Sequence, residues 1–386
     1  MRRKALAISL MAVLLVSLAS GCINSSGGTK TVTVTKTVGS EESTNSPTTS
    51  SNPTQITETS ATTPPSDKDK KDETTWQTVP EPETCDNWRD DFEKAIYCAL
   101  TPNTLQQLGQ MLQSTIAPQA ATPSEKVYYT LSYGTVNIAE DSVKENRSME
   151  IGHYYDIKAP LETIKSKGGS RADIALLYAG FFLNIFDEAY IFYAIENETK
   201  FDVEAGFYYE GINYTTLWPY PFPLPFTQYE RLAAMHGHFE IRDVIMYRIK
   251  KQPTGEIIVE KRYVPIKERA KWDSQFHKSG MYLTAQNLQK LQEDMNELFL
   301  QTMKYYGYEY EHDPNLQYDY QAKTYRYTYA FGEFFYSKPF HEEFATGMLI
   351  ALLSGSGAGN DLAKYSKYHI EVAPSLDDLI LMLYLK

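Results

Sequence analysis

The tightest constraint on this chain is one helix that leaves no face for water. Gly168-Gly169 breaks the segment before it, and Ser170, Arg171, Ala172 and Asp173 carry the Ser-x-x-Asp spacing of a capping box, so a helix is expected to start at Arg171. From Ala172 to Ile185 almost every position is apolar. A surface helix keeps a polar stripe, whereas one that is apolar all round has to be enclosed. This helix therefore belongs at the centre of its domain.

Downstream, residues 189–195, 201–209 and 212–217 read as three short strands joined by the Asn197-Glu198-Thr199 and Glu210-Gly211 turns, an antiparallel meander. Upstream, helices are expected over 88–100 and 103–116, the second from Leu105, Leu108, Met111 and Leu112. The pattern between 127 and 149 is ambiguous. A long hairpin is expected over 239–250 and 256–264, and a helix over 284–306 closed by Gly307. Residues 376–385 are apolar at helical spacing and read as a last helix docked on the core. The fold class is α+β.

The run Gly168-Gly169-Ser170-Arg171-Ala172-Asp173-Ile174-Ala175-Leu176-Leu177 resembles, without a gap, the Gly-Gly-Asp-Cys-x-Asp-x-Ala-Leu-Leu stretch of the transglutaminase-like (papain-like thiol) superfamily. There the nucleophilic cysteine sits in the first turn of a central helix. The resemblance covers about 125–225 and implies a transglutaminase-like core, with a buried central helix packed on an antiparallel sheet. It also implies where a triad would stand. Arg171 occupies the cysteine position, Lys200 (or Phe201) the histidine position and Trp218 the aspartate position, so all three catalytic groups are replaced. A helix N-terminus favours a thiolate and an imidazole moves its proton; arginine is neither nucleophile nor base near neutral pH. A cation at that terminus is unfavourable by about 0.3–1 kcal/mol when exposed. A carboxylate or bound anion is therefore expected beside Arg171, with Asp173 and Asp202 as candidates, and an arginine turned to solvent as the bland alternative.

The chain opens with Arg2-Arg3-Lys4, an apolar run to Ala19 and then Ser20-Gly21-Cys22. This reads as a signal peptide over 1–21 with Cys22 as the lipidated residue, as in a prokaryotic lipoprotein. Of the 58 residues from 23 to 80, 25 are serine or threonine. Such a composition cannot bury a core, so 22–80 reads as a disordered stalk of about 40 Å end to end. Its threonine richness suggests an archaeal source. Asn24, Asn146, Asn197 and Asn213 each begin an Asn-x-Ser/Thr glycosylation acceptor. Cys85 and Cys98 are the remaining cysteines, and in an exported chain they are expected to pair.

Two domains are expected: a transglutaminase-like one over 81–229 and an α+β C-terminal extension over 230–386. Between them Trp218-Pro219-Tyr220-Pro221-Phe222-Pro223-Leu224-Pro225-Phe226 enforces a stiff path that wraps the body or paves a ligand groove. His236 and His238, two apart, would share a face if extended, but no further ligand is spaced to complete a metal site. A net charge of −12 argues against nucleic acid, which needs a basic footprint. No cofactor is expected.

The resulting expectation is a surface lipoprotein on the outer face of the cell membrane, catalytically inactive, that binds or scaffolds at the envelope. Its partners would be the membrane, through the lipid, and an envelope peptide, anionic glycan or protein held by Arg171, Asp173, Asp202, Trp218, Tyr220 and Phe222. Two alternatives are an envelope hydrolase or acyltransferase using Ser170 or the two histidines, and a solute-binding component of a transporter. The latter calls for two similar lobes, and no duplication is visible.

Overall fold

The computed structural model describes residues 74–386; the leader, Cys22, Asn24 and the stalk to residue 73 lie outside the described residues. In chain order its first elements are β1 (Gln77–Thr78), α1 (Phe92–Ala99), α2 (Pro102–Met111), α3 (Pro123–Asn137), β2 (Ala139–Glu140) and α4 (Ser142–Ile151). Next come α5 (Pro160–Ser166), β3 (Gly168–Gly169), α6 (Arg171–Phe182), β4 (Glu188–Asn197), β5 (Lys200–Tyr209), β6 (Ile212–Thr215) and β7 (Leu224–Pro225). They are followed by α7 (Phe226–His236), β8 (Asp243–Lys251), β9 (Ile257–Tyr263), α8 (Ile266–Lys278) and α9 (Ala285–Tyr305). The chain ends with β10 (Glu311–His312), β11 (Lys323–Tyr329), α10 (Gly332–Phe335), α11 (His341–Gly355), β12 (Lys367–Ser375) and β13 (Asp378–Leu385).

The molecule is α+β, built on an antiparallel sheet of order β1-β9-β8-β4-β5-β6-β7. One core holds α6, with Ala172 through Phe182 all buried among α1, α2, α3 and residues of β4 and β5 such as Ile191, Val203 and Phe207. The second core joins the alternate residues Phe192 and Ala194 of β4 to α9, α11 and a sheet of order β10-β12-β13-β11. The large sheet is thus covered on both faces. The disulfide between Cys85 and Cys98 ties α1 to the segment before it.

Several expectations are corrected. The folded body begins before residue 81: Gln77 and Thr78 pair with Lys261 and Glu260, and Val79 is buried. A boundary at 229/230 would divide the large sheet, because β8 is the direct neighbour of β4. The segment 376–385 is not a helix: after a turn at Leu376 and Asp377 it forms a strand, β13, in which Leu379, Leu381, Leu383 and Leu385 are buried and pair against two neighbours. The proline-aromatic segment does not wrap the outside; Phe222, Leu224 and Phe226 are buried in the second core. His236 ends α7 and His238 lies in the turn beyond, so the two share no strand face. No helix among the described residues is long and apolar enough to cross a membrane.

Candidate functional site

The head of α6 is built from its own capping sequence. The Asp173 carboxylate accepts the Ser170 N–H at 2.8 Å, while the buried Ser170 hydroxyl has no partner. Gly169 is required here, since a Cβ would meet that of Asp173 at 2.6 Å. Asp173 also accepts the Lys158 N–H at 2.8 Å and pairs with the buried Lys144 ammonium at 2.8 Å. It is fully enclosed beneath the helix head, and its charge is spent on Lys144 rather than on Arg171.

Arg171 is met by other carboxylates. Its Nε donates to Glu140 at 2.7 Å, one terminal nitrogen donates to Glu204 at 2.8 Å, and its backbone N–H donates to Glu145 at 2.8 Å. β2 and β3 lie parallel with Glu140 opposite Gly169, which carries Glu140 to the helix head. On β5, Phe201, Val203 and Ala205 pack in the core around α6, so the alternate residues Asp202 and Glu204 point to the opposite face. A side chain as long as arginine's spans that step. Thr216, just past β6, donates to the second Glu204 oxygen at 2.5 Å.

Burial works against every charge in this cluster. Burial alone would lower the Arg171 pKa, but Asp202, Glu204 and Glu140 outweigh it and hold the guanidinium more firmly protonated than usual. Burial and then the Asp202 charge raise the Glu204 carboxyl, against the pull of Arg171. Glu145 is pushed up to about 7, chiefly by burial, with the Arg171 N–H opposing. Asp202 accepts the Tyr229 hydroxyl at 2.7 Å.

At the cluster opens a groove of about 420 Å³, lined by Glu140, Glu145, Arg171 and Asp202 together with Leu217, Tyr220, Leu232, Phe239 and Phe331. Lys200 stands at its edge, paired with Glu196 at 2.6 Å and bonded to the His238 carbonyl. His236 also lines the groove, held by Asp377 at 2.9 Å.

Of the six binding candidates, Arg171, Asp202 and Tyr220 reach the groove and the other three do not. Asp173 is buried below it. The Trp218 indole donates to the Ile138 carbonyl at 3.2 Å, and Phe222 packs 5.4 Å from Tyr128 and 5.0 Å from Phe344. The groups that touch the Arg171 side chain are Glu140 and Glu204, not Lys200 and Trp218. Ser170 is enclosed and lines no part of the groove. Glu140, Glu145, Glu204 and Tyr229 were not singled out from the sequence. The cation at a helix N-terminus does signal that carboxylates must be near, but Glu140 and Glu145 lie in the stretch whose periodicity is ambiguous. Of the acceptor asparagines, Asn146 and Asn197 are exposed and Asn213 is half-buried on β6. Among the described residues no three His, Cys, Asp or Glu side chains are grouped to hold a metal ion. No protein-family model, curated protein or solved structure matches this chain.

Proposed function

We propose that this chain is a non-catalytic binding protein at the cell envelope, tethered through Cys22 and its stalk, whose groove at the head of α6 receives a cationic group of an envelope peptide or protein. The observation that carries the reading is the charge balance. Arg171 is paired with Glu140 and Glu204 and Lys200 with Glu196, while Glu145 and Asp202, which hold only N–H and hydroxyl donors, also line the groove, so carboxyls outnumber cations on its walls. Carboxylates beside aromatic walls suit an ammonium or guanidinium carried on an apolar stem. An anionic glycan, one of the ligands expected from Arg171 and the aromatic residues, would meet more carboxyls than cations here.

The transglutaminase-like resemblance fits this reading as a degenerate centre, in which the position of a thiol has become a structural cross-link. A hydrolase built on displaced groups at the groove is less well supported, since the imidazole that lines it, His236, is held by Asp377 and hydrogen-bonds no hydroxyl or thiol among the described residues. The test is calorimetric titration of the protein with the amidated peptide Lys-Tyr-Lys. Saturable binding is expected, weakened about tenfold in Asp202→Asn by loss of one charge-assisted contact. No binding, or binding indifferent to Asp202, removes the reading. The tether is tested separately: Cys22→Ala should release the protein from the membrane fraction, and retention there would refute lipid anchoring.

A further inference from the structure

A second cleft lies at the other end of the same two elements. The groove occupies the start of β5 and the C-terminal end of α7; this cleft, about 370 Å³, occupies the β5–β6 turn and the N-terminal end of α7, closed by the last turns of α8. α7 has 11 residues and is about 16 Å long, so the two sites are separate. Their chemistry also differs. Glu210 is the one charged residue lining the second cleft.

Its walls are aromatic. The Trp272 ring stands edge-on to Phe226 with centroids 6.1 Å apart, and Tyr208 is 52% exposed at the mouth. Besides Glu210, its polar side chains are neutral: the amides of Asn213 and Gln275 and the hydroxyl of Thr227, which make no side-chain hydrogen bond within the protein, and Ser279, which donates to the Phe276 carbonyl at 2.7 Å. Thr227 as a residue is only 5% exposed, and its hydroxyl is not among the sealed, unpartnered polar atoms, so it stands open to what enters the cleft. Amides and hydroxyls each donate and accept, as sugar hydroxyls do, and aromatic faces cover the C–H faces of a pyranose ring. An anionic ligand would meet Glu210 and no cation, and a purely apolar one would cover the half-buried Asn213 amide without bonding it.

We propose that this cleft binds an uncharged carbohydrate, with Trp272 and Tyr208 as the stacking surfaces and Asn213, Gln275 and Thr227 as the hydroxyl partners. The test uses the protein from a host that adds no N-glycans, so that Asn213 is unmodified. Fluorescence titrations would run against neutral oligosaccharides of the β-1,4-glucan, chitin, α-glucan and mannan types, with an acetylated and amidated tetraglycine as control. At least one saccharide should bind saturably, about tenfold more weakly in Gln275→Ala and in Trp272→Ala. Gln275 is exposed, so its variant keeps the fold if Trp272→Ala does not. Asp202→Asn, which alters only the groove, should leave this binding unchanged, separating failure here from failure of the groove reading. No binding across the panel, binding insensitive to Gln275, or binding of the tetraglycine alone would overturn the proposal.

Discussion

Arg171 is the residue on which the candidate site turns, and its side chain is 20% exposed while its partner Glu204 is 3% exposed. Removing the cation would leave Glu204 enclosed beside Asp202 with a hydroxyl as its remaining side-chain partner. Arg171→Met should therefore destabilise by about 3–5 kcal/mol in urea denaturation, and a loss under 1 kcal/mol would mean that the carboxylates relax into water. Arg171→Lys should recover part of the loss only, since one ammonium cannot face both carboxylates as a planar fork does. A pH dependence follows from the same burial. Glu145 is pushed up to about 7, and on α11 Glu343 is also raised to about 7 by burial, with Ser124 opposing. A carboxyl raised in the folded state binds more protons there than when unfolded, so its contribution is full below the usual carboxylate range and is lost as pH rises through about 7. Stability should fall between pH 5 and pH 8, and Glu343→Gln should flatten that fall, gaining on the order of 3 kcal/mol at pH 8. Denaturation curves across that range check it; a flat profile in the wild type would contradict the burial. At this scale the sequence showed that Arg171 needs an anion but not which one. Asp173 is nearest in sequence, yet the turn of α6 sends it under the helix to Lys144.

Among the elements, β5 links both candidate sites, and its middle is tightly packed. A Cβ on Gly206 would run into the Phe192 ring and the Tyr214 carbonyl, one of which is backbone and cannot swing aside. Gly206→Ala should cost about 1–3 kcal/mol or more, read as a lower denaturation midpoint at unchanged slope; a neutral effect would show that β6 can shift. The elements that were legible are those whose pattern has one interpretation. α6, the β4 to β6 meander, the β8–β9 hairpin and α9 all stand within a few residues of expectation. β13 was misread for a definable reason: Leu379 and Leu383 are four apart, a spacing common to a helix turn and to strand alternation, and only Leu381 and Leu385 between and after them separate the two. The α7 helix follows a proline-rich run that argues for extended chain, and it is kept by burial of Phe226, Tyr229 and Leu232 rather than by a clear start signal. The part of the groove lined by Tyr229, Leu232 and His236 is hidden with it.

Over the whole molecule, the large sheet is shared property of the two halves of the chain. β4 has β5 on one side and β8 on the other, and the two cores lie on its opposite faces. A fragment of residues 81–229 would lack β8, β9 and most of the second core, leaving Phe192 and Ala194 on β4 uncovered. It should be unfolded or aggregated by circular dichroism and light scattering, whereas residues 74–386 should unfold in one calorimetric transition. Two well-separated transitions would show that the halves are independent. This union also explains why a boundary at 229/230, set by the reach of the resemblance, divides the large sheet: strands from distant sequence positions are sheet neighbours, and no local pattern records that pairing.

The most direct test of the account is a head-to-head titration of Lys-Tyr-Lys against Glu-Tyr-Glu, both with blocked termini. If Arg171 is a structural cross-link and the groove is net acidic, the basic peptide binds about tenfold or more tightly and loses that advantage in high salt. Preference for the acidic peptide would contradict the account and return Arg171 to the role of an exposed anion receptor.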